Sequence, residues 1–210
     1  MVKIAKKARV YDGTAWQEIA AAQTDLTAYS TTAQVSSTYS PISTTGLVLL
    51  NTTTYNTVAS VSINDVFSTT YQNYQIVVAG AYGTSTGGVV TMRLRASGAD
   101  NTSANYAYVG LTMANASGTL GTTGQTSAVV GYSGYDAVSS GWNSTIINVL
   151  RPFEANWTHY LSSSQGVNSS SQDAYMTIGG NHRVATSYTG FTLLYPTTQS
   201  GTIRVYGYKN

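Results

Sequence analysis

The side chains that could do chemistry in this 210-residue chain are few and widely spaced. There are two histidines, His159 in Trp157-Thr158-His159-Tyr160 and His182 in Gly180-Asn181-His182-Arg183, and neither stands near a second metal-ligating residue at helical or hairpin spacing. A zinc site needs three or four close ligands, and without cysteine there are no thiolates to supply them, so no metal and no cofactor is expected. The eight acids (Asp12, Glu18, Asp25, Asp65, Asp100, Asp136, Glu154 and Asp173) are singletons, mostly in turn-like contexts. A glycosidase requires a facing pair of carboxylates, which singletons do not announce. Serine is abundant, and the Gly-x-Ser-x-Gly spacing occurs at Gly83–Gly87 (GTSTG), but that run reads as a turn between two strands and not as the strand-to-helix turn of a nucleophile elbow. Gly118–Gly124 (GTLGTTG) lacks the lysine of a phosphate-binding loop. No catalytic residues are expected, and the chain is read as a non-enzyme.

Aromatic residues are the surplus that composition does reveal, with 17 tyrosines and three tryptophans. Tyr106, Tyr108, Tyr132, Tyr135, Trp142 and Trp157 gather in and around residues 101–157. Tyrosine and tryptophan offer rigid, amphipathic contact area at low entropic cost and stack on sugar rings. The segment Tyr132–Trp142 (YSGYDAVSSGW) is the candidate recognition loop, with Tyr132, Tyr135 and Trp142 as its binding residues. The competing reading is that these aromatics fill a core or a subunit interface. Asn-x-Ser/Thr sequons at Asn51, Asn101, Asn115, Asn143, Asn156 and Asn168 follow from a Ser/Thr-rich composition and are not read as glycosylation sites.

The elements that must position these residues are strands. Charged residues make up only 9% of the chain while hydrophobic ones reach 42%, so the low charge does not signal disorder. Abundant Thr, Val, Tyr and Ser favour strands over helices. In Val89–Ala96, Val90, Met92 and Leu94 alternate with Thr91, Arg93 and Arg95, which is the period of a half-buried strand. Its outward arginines either pair with acids across a subunit contact or keep the surface soluble. Tyr74–Tyr82 reads as a second strand, and Gly83–Gly88 between them reads as the turn of a central antiparallel hairpin. Further strands are expected at Leu47–Asn51, Asn56–Ile63, Tyr106–Met113, Gln125–Gly131, Thr145–Leu150, Trp157–Ser163, Ala174–Gly179, Phe191–Tyr195 and Thr202–Tyr208. Residues 64–67 read as a single helical turn, and Tyr132–Gly141 as turn-rich. Many short strands at this spacing predict an all-β antiparallel sandwich, jelly-roll-like, over residues 47–210.

Ahead of it, residues 1–19 hold Lys3, Lys6, Lys7 and Arg9, then Tyr11, Asp12-Gly13 and Trp16. Asp-Gly tolerates the positive φ of a tight turn, so a small hairpin is expected. It either packs on the main domain or docks on another protein through Lys6, Lys7, Arg9, Tyr11 and Trp16. Residues 20–46, rich in Ala, Thr and Ser, read as a linker, or as an arm covering the sandwich. The net charge of +2 is too small to argue for nucleic acid. The absence of an apolar run of ~18 residues argues against membrane insertion. No signal peptide is recognised at the N-terminus, so synthesis in a cytoplasm is expected.

Three blocks carry a resemblance: Ser62–Val78 (SINDVFSTTYQNYQIVV), Met92–Tyr106 (MRLRASGADNTSANY) and Ser200–Lys209 (SGTIRVYGYK). They resemble segments of virion proteins of tailed bacteriophages. The opening Ala8–Ile19 (ARVYDGTAWQEI) is similar to the short attachment hairpins of phage tail and head proteins. The resemblance implies a surface β-sandwich of tail-fibre, minor-tail or head-fibre type, made in the host cytoplasm and displayed on the virion. It implies a homotrimer, attached through its N-terminus to other virion proteins, that binds a host surface glycan. It supplies no catalytic residues. Capsid decoration and a polysaccharide depolymerase are the alternatives.

Overall fold

A computed structural model describes residues 9–18, 46–83, 88–114, 120–135, 142–167 and 172–209. The chain divides into two units, Met1–Thr45 and Gly46–Asn210. The expected linker lies outside the described residues except for Gly46, which opens a strand.

In the first unit, β1 (Arg9–Tyr11) pairs antiparallel with β2 (Trp16–Glu18), as the Asp-Gly turn predicts. Gly13 adopts φ +99°, a conformation that a side chain resists. The Asp12 carboxylate organises the turn by accepting the backbone N–H groups of Thr14 and Ala15, each at 2.9 Å, and the Gln17 side-chain amide at 2.9 Å. These donors, Ala15 first, hold its carboxyl well below the usual carboxylate range. Tyr11 and Trp16 meet across the two strands in a tilted contact, with ring centroids 5.5 Å apart and planes at 52°.

The second unit is an antiparallel β-sandwich with no helix among its described residues. Its strands are β3 (Gly46–Ile63), β4 (Asn73–Gly83), β5 (Val89–Ala96), β6 (Ala99–Asp100), β7 (Tyr106–Ala114), β8 (Leu120–Ala128), β9 (Gly131–Tyr135), β10 (Asn143–Leu150), β11 (Asn156–Val167), β12 (Asp173–Thr186) and β13 (Gly190–Lys209). Two expected pairs of short strands are each one long strand, β3 and β13, which pair with each other through both layers. The bend in β13 falls where its register shifts between Leu194 and Gln199, around Pro196, which cannot donate to a ladder. Opposite it, Thr57 of β3 takes φ +53°. Before the bend β13 pairs with β5, and after it with β4.

The expected central hairpin is therefore corrected. β4 and β5 do not pair with each other, because each uses a different half of β13 and they lie in different layers. The larger layer runs β13, β4, β10, β11, β12, β7, β8, and the smaller one joins β13, β5 and β9. The turn-rich reading of Tyr132–Gly141 missed β9, and residues 64–67 form no helical turn.

Alternation places Ile76, Val78, Ile147, Val149, Ile203 and Val205 on the inner face of the larger layer. Met92, Leu94, Phe191 and Leu193 face them from the smaller one. Each such side chain contributes roughly 1.5–3 kcal/mol by leaving water. β9 lies close over β11 because small residues meet there. A side chain at Gly134 would press on the hydroxyls of Thr145 and Ser164, and one at Gly131 on the Tyr160 hydroxyl.

Candidate functional site

The two histidines occupy opposite situations. His182 is buried on the inner face of β12, and its ring lies 4.1 Å from that of Tyr106. Asn101 Oδ1 accepts the backbone N–H of Ser103 at 3.0 Å, which orients the amide. Ser103 Oγ donates to the same oxygen at 2.6 Å, so it must accept from His182 Nε2 at 3.3 Å. That assigns the proton to Nε2 and leaves Nδ1 to accept the Tyr188 hydroxyl at 2.8 Å. Asn101 Nδ2 donates to the Tyr188 oxygen at 3.0 Å and closes the circuit. Desolvation lowers the His182 pKa to about 4, so the ring is neutral at pH 7. Although a serine and a histidine meet here, the serine proton is committed to Asn101 and the histidine nitrogen facing it is a donor. That is the reverse of what a general base requires, and the circuit acts to pin the 101–105 segment onto β12.

Arg95 is equally committed. It donates to Asn64 Oδ1 at 2.9 Å, Ser62 Oγ at 3.0 Å and Thr192 Oγ1 at 2.8 Å, and it forms an ion pair with Asp100. The expected choice between a subunit contact and a solubilising surface charge is thus corrected. Arg95 and Asp100 are fastened to each other within one chain, across the tight turn that joins β5 to β6 through Ser97 and Gly98, both at positive φ.

The predicted recognition residues separate. Tyr132 is half-buried against the core and stacks on Tyr108 at 4.3 Å. Trp142 is 66% exposed. The Tyr135 side chain and residues 136–141 lie outside the described residues. Of the predicted attachment residues, Arg9, Tyr11 and Trp16 are exposed on the hairpin, and Lys6 and Lys7 are outside the described residues.

A surface that the sequence reading did not single out lies on the outer face of the larger layer. Leu150, His159, Asn181 and Ala107 stand in one register row across β10, β11, β12 and β7. The next row holds Leu161, Gly179 and Val109, with Leu161 57% and Val109 67% exposed. Ala107 and Gly179 leave the middle of this face low. Trp157 rises at one side, 49% exposed, with the Arg183 guanidinium 5.8 Å from its ring centre. Arg183 Nε donates to Asn181 Oδ1 at 3.1 Å. One depression of about 320 Å3 is lined by Leu150, Arg151, Asn156, Trp157 and His159. Another of about 230 Å3 includes Ala107, Gly179, Gln125, Asn181 and Arg183 in its lining. Arg151 also borders a third depression of about 310 Å3, beside Tyr71 and Phe153.

The arrangement combines aromatic, amide and guanidinium groups around a low apolar floor, which suits binding by stacking and hydrogen bonding. Among the described residues, no group of three or more His, Cys, Asp or Glu side chains is placed to hold a metal ion. The signal for this face was present in β11, where Trp157, His159 and Leu161 alternate with Thr158, Tyr160 and Ser162. It is misleading there, because the threonine and serines point inward. No family model, curated protein or solved structure matches the chain.

Proposed function

We propose that this chain is a non-enzymatic structural component of a tailed-phage virion. In this reading its N-terminal hairpin joins it to other particle proteins. The sandwich is displayed, as a homotrimer, to bind glycans on the host surface. The observation that supports it is the exposure of all three tryptophans: Trp16 at 67%, Trp142 at 66% and Trp157 at 49%. Tryptophan is highly buried on average in folded chains. Leaving every copy at the surface is the composition of a protein that contacts something else, and exposed indole is well suited to stacking on sugars. Trp16 sits on the hairpin, and the other two on the displayed domain.

A second reading, capsid decoration or a head fibre, is favoured by the purely apolar part of the outer face. Val109, Leu111 and Leu161 suit another protein better than a sugar. Deleting residues 1–19 tests the shared element: the sandwich should fold, and incorporation into particles should be lost. Normal incorporation of the deletion removes the docking role. Immunogold labelling of particles then separates the two readings, with gold at the tail tip for host recognition and gold over the head for decoration. Release of reducing sugar from host polysaccharide by the purified chain would replace both with a depolymerase.

A further inference from the structure

We infer that the trough on the outer face of β10, β11, β12 and β7 binds a linear anionic glycan, stacked on Trp157 and held through its acidic groups by Arg183 and Arg151. This rests on reading the sandwich as a glycan-binding module, and it specifies both where the ligand lies and what charge it carries.

The shape favours an extended ligand. Four adjacent strands span roughly 14 Å between the outermost backbones, the reach of a short oligosaccharide and not of one sugar. The floor is cleared by Ala107 and Gly179, where larger side chains would stand up from the sheet. Trp157 is available as a stacking platform beside the larger of the two depressions.

The charge favours an acidic ligand. Neither depression has an aspartate or glutamate among its lining residues, while each has an arginine. Arg183 is oriented in advance by its stack on Trp157 and its bond to Asn181, and the fork of its terminal nitrogens matches a carboxylate or sulfate. Arg151 faces Glu154 at 3.9 Å, with the arginine side chain 62% and the glutamate 43% exposed. Such an exposed pair holds its guanidinium weakly.

The other polar groups, Asn156, Asn181, Gln125 and Thr126 together with the exposed His159 imidazole, are of the kind that meet sugar hydroxyls. A single-stranded nucleic acid would call for a strongly basic groove along its backbone. The two depressions hold one arginine each and the whole chain carries only +2.

The test uses the full chain in affinity electrophoresis against polygalacturonate, chondroitin sulfate, dextran and oligo-dT. Retardation by at least one of the two acidic glycans is expected, relieved by salt, with little retardation by neutral dextran. Trp157→Ala and Arg183→Gln should each weaken it at least tenfold with the melting temperature unchanged. Wild-type binding by both variants, equal retardation by dextran, no retardation by either acidic glycan, or tighter binding of oligo-dT would each overturn the inference. Particle incorporation of the two variants is read separately. Normal incorporation with undiminished glycan binding removes the trough and leaves the display reading standing. Absence of the wild-type chain from every particle removes the display reading whatever the glycan result.

Discussion

β11 and β12 present two faces that obey opposite rules. Inward, Thr158, Tyr160, Ser162 and Ser164 of β11 and His182 of β12 are polar or half-polar, yet all are buried. Outward, Trp157, Leu161 and Tyr175 are large and carry much apolar area, yet they stand in water. The inner polar groups are mostly closed on one another: His182 in its circuit with Tyr188, Ser103 and Asn101, Ser164 with Thr145 at 2.9 Å, and Ser162 with the Ser133 carbonyl. Buried hydroxyls become tolerable when paired in this way, and their small size lets β9 lie close. The outer contacts, Tyr175 with Ser163 at 2.8 Å and Arg183 over the Trp157 ring, lie at the surface and leave much of the apolar area of Trp157 and Leu161 in water. The buried packing of the sandwich lies on one side of this sheet, and its large exposed side chains lie on the other.

The largest expected effect breaks the inner face by adding one carbon. A side chain at Gly180 of β12 would overlap the Tyr160 ring, which lies between Gly180 and Gly131. Gly180→Ala should destabilise the sandwich by about 3 kcal/mol or more, since the ring is fully packed and cannot swing aside. Thermal denaturation checks it. Gly179→Ala, one residue away and on the outer face, meets only Leu161 at an ordinary 3.7 Å and should leave the melting temperature nearly unchanged. Equal losses at the two positions would remove the distinction between the faces.

The next effect uses pH. His182 is neutral in the folded protein, with a pKa of about 4 against 6.5 for the unfolded chain. Between these values the unfolded state binds the extra proton, so stability rises with pH across the window. The contribution is complete above pH 6.5 and is lost as pH falls towards 4, by about 2–3 kcal/mol. Urea midpoints at pH 7 and pH 4.5 measure it. His182→Gln should flatten that part of the profile even if the variant is less stable throughout. An unchanged slope in the variant would assign the acid sensitivity to other groups.

The strands were legible because alternation is local, and the residues flanking Arg93 and Arg95 show it plainly. Pairing was not, because β4 and β5 are neighbours in sequence but take their partner, β13, from about a hundred residues or more further on. β9 was obscured by Ser133 and Gly134, residues that read as a turn, and by Gly131, which read as the end of the preceding strand; the two glycines in fact serve close packing against β10 and β11. Trp157 was recognised as part of an aromatic surplus, but hydropathy alone assigns β11 the wrong inner face. Only Tyr160, flanked by glycines contributed by two other strands, decides which way that strand points. The Arg183–Trp157 stack joins residues 26 positions apart by way of the β11–β12 register, which no local pattern contains.

The smallest effect carries the opposite sign and tests how complete the closure of the inner face is. The Tyr160 hydroxyl is buried with no hydrogen-bond partner, and burial raises its pKa far above the usual phenol range. An unpaired buried hydroxyl costs free energy that its removal recovers, while the ring keeps its packing. Tyr160→Phe should therefore stabilise the sandwich by about 1 kcal/mol, raising the melting temperature by a few degrees. Tyr188→Phe, by contrast, removes a hydroxyl that both Asn101 and His182 use, and should destabilise. The same deletion of one oxygen from two buried tyrosines thus has two predicted signs. The sign follows from whether the oxygen is bonded, since both side chains are buried to the same degree. Loss of stability at Tyr160 would mean that its hydroxyl is paired after all, and that this part of the inner face is as closed as the circuit around His182.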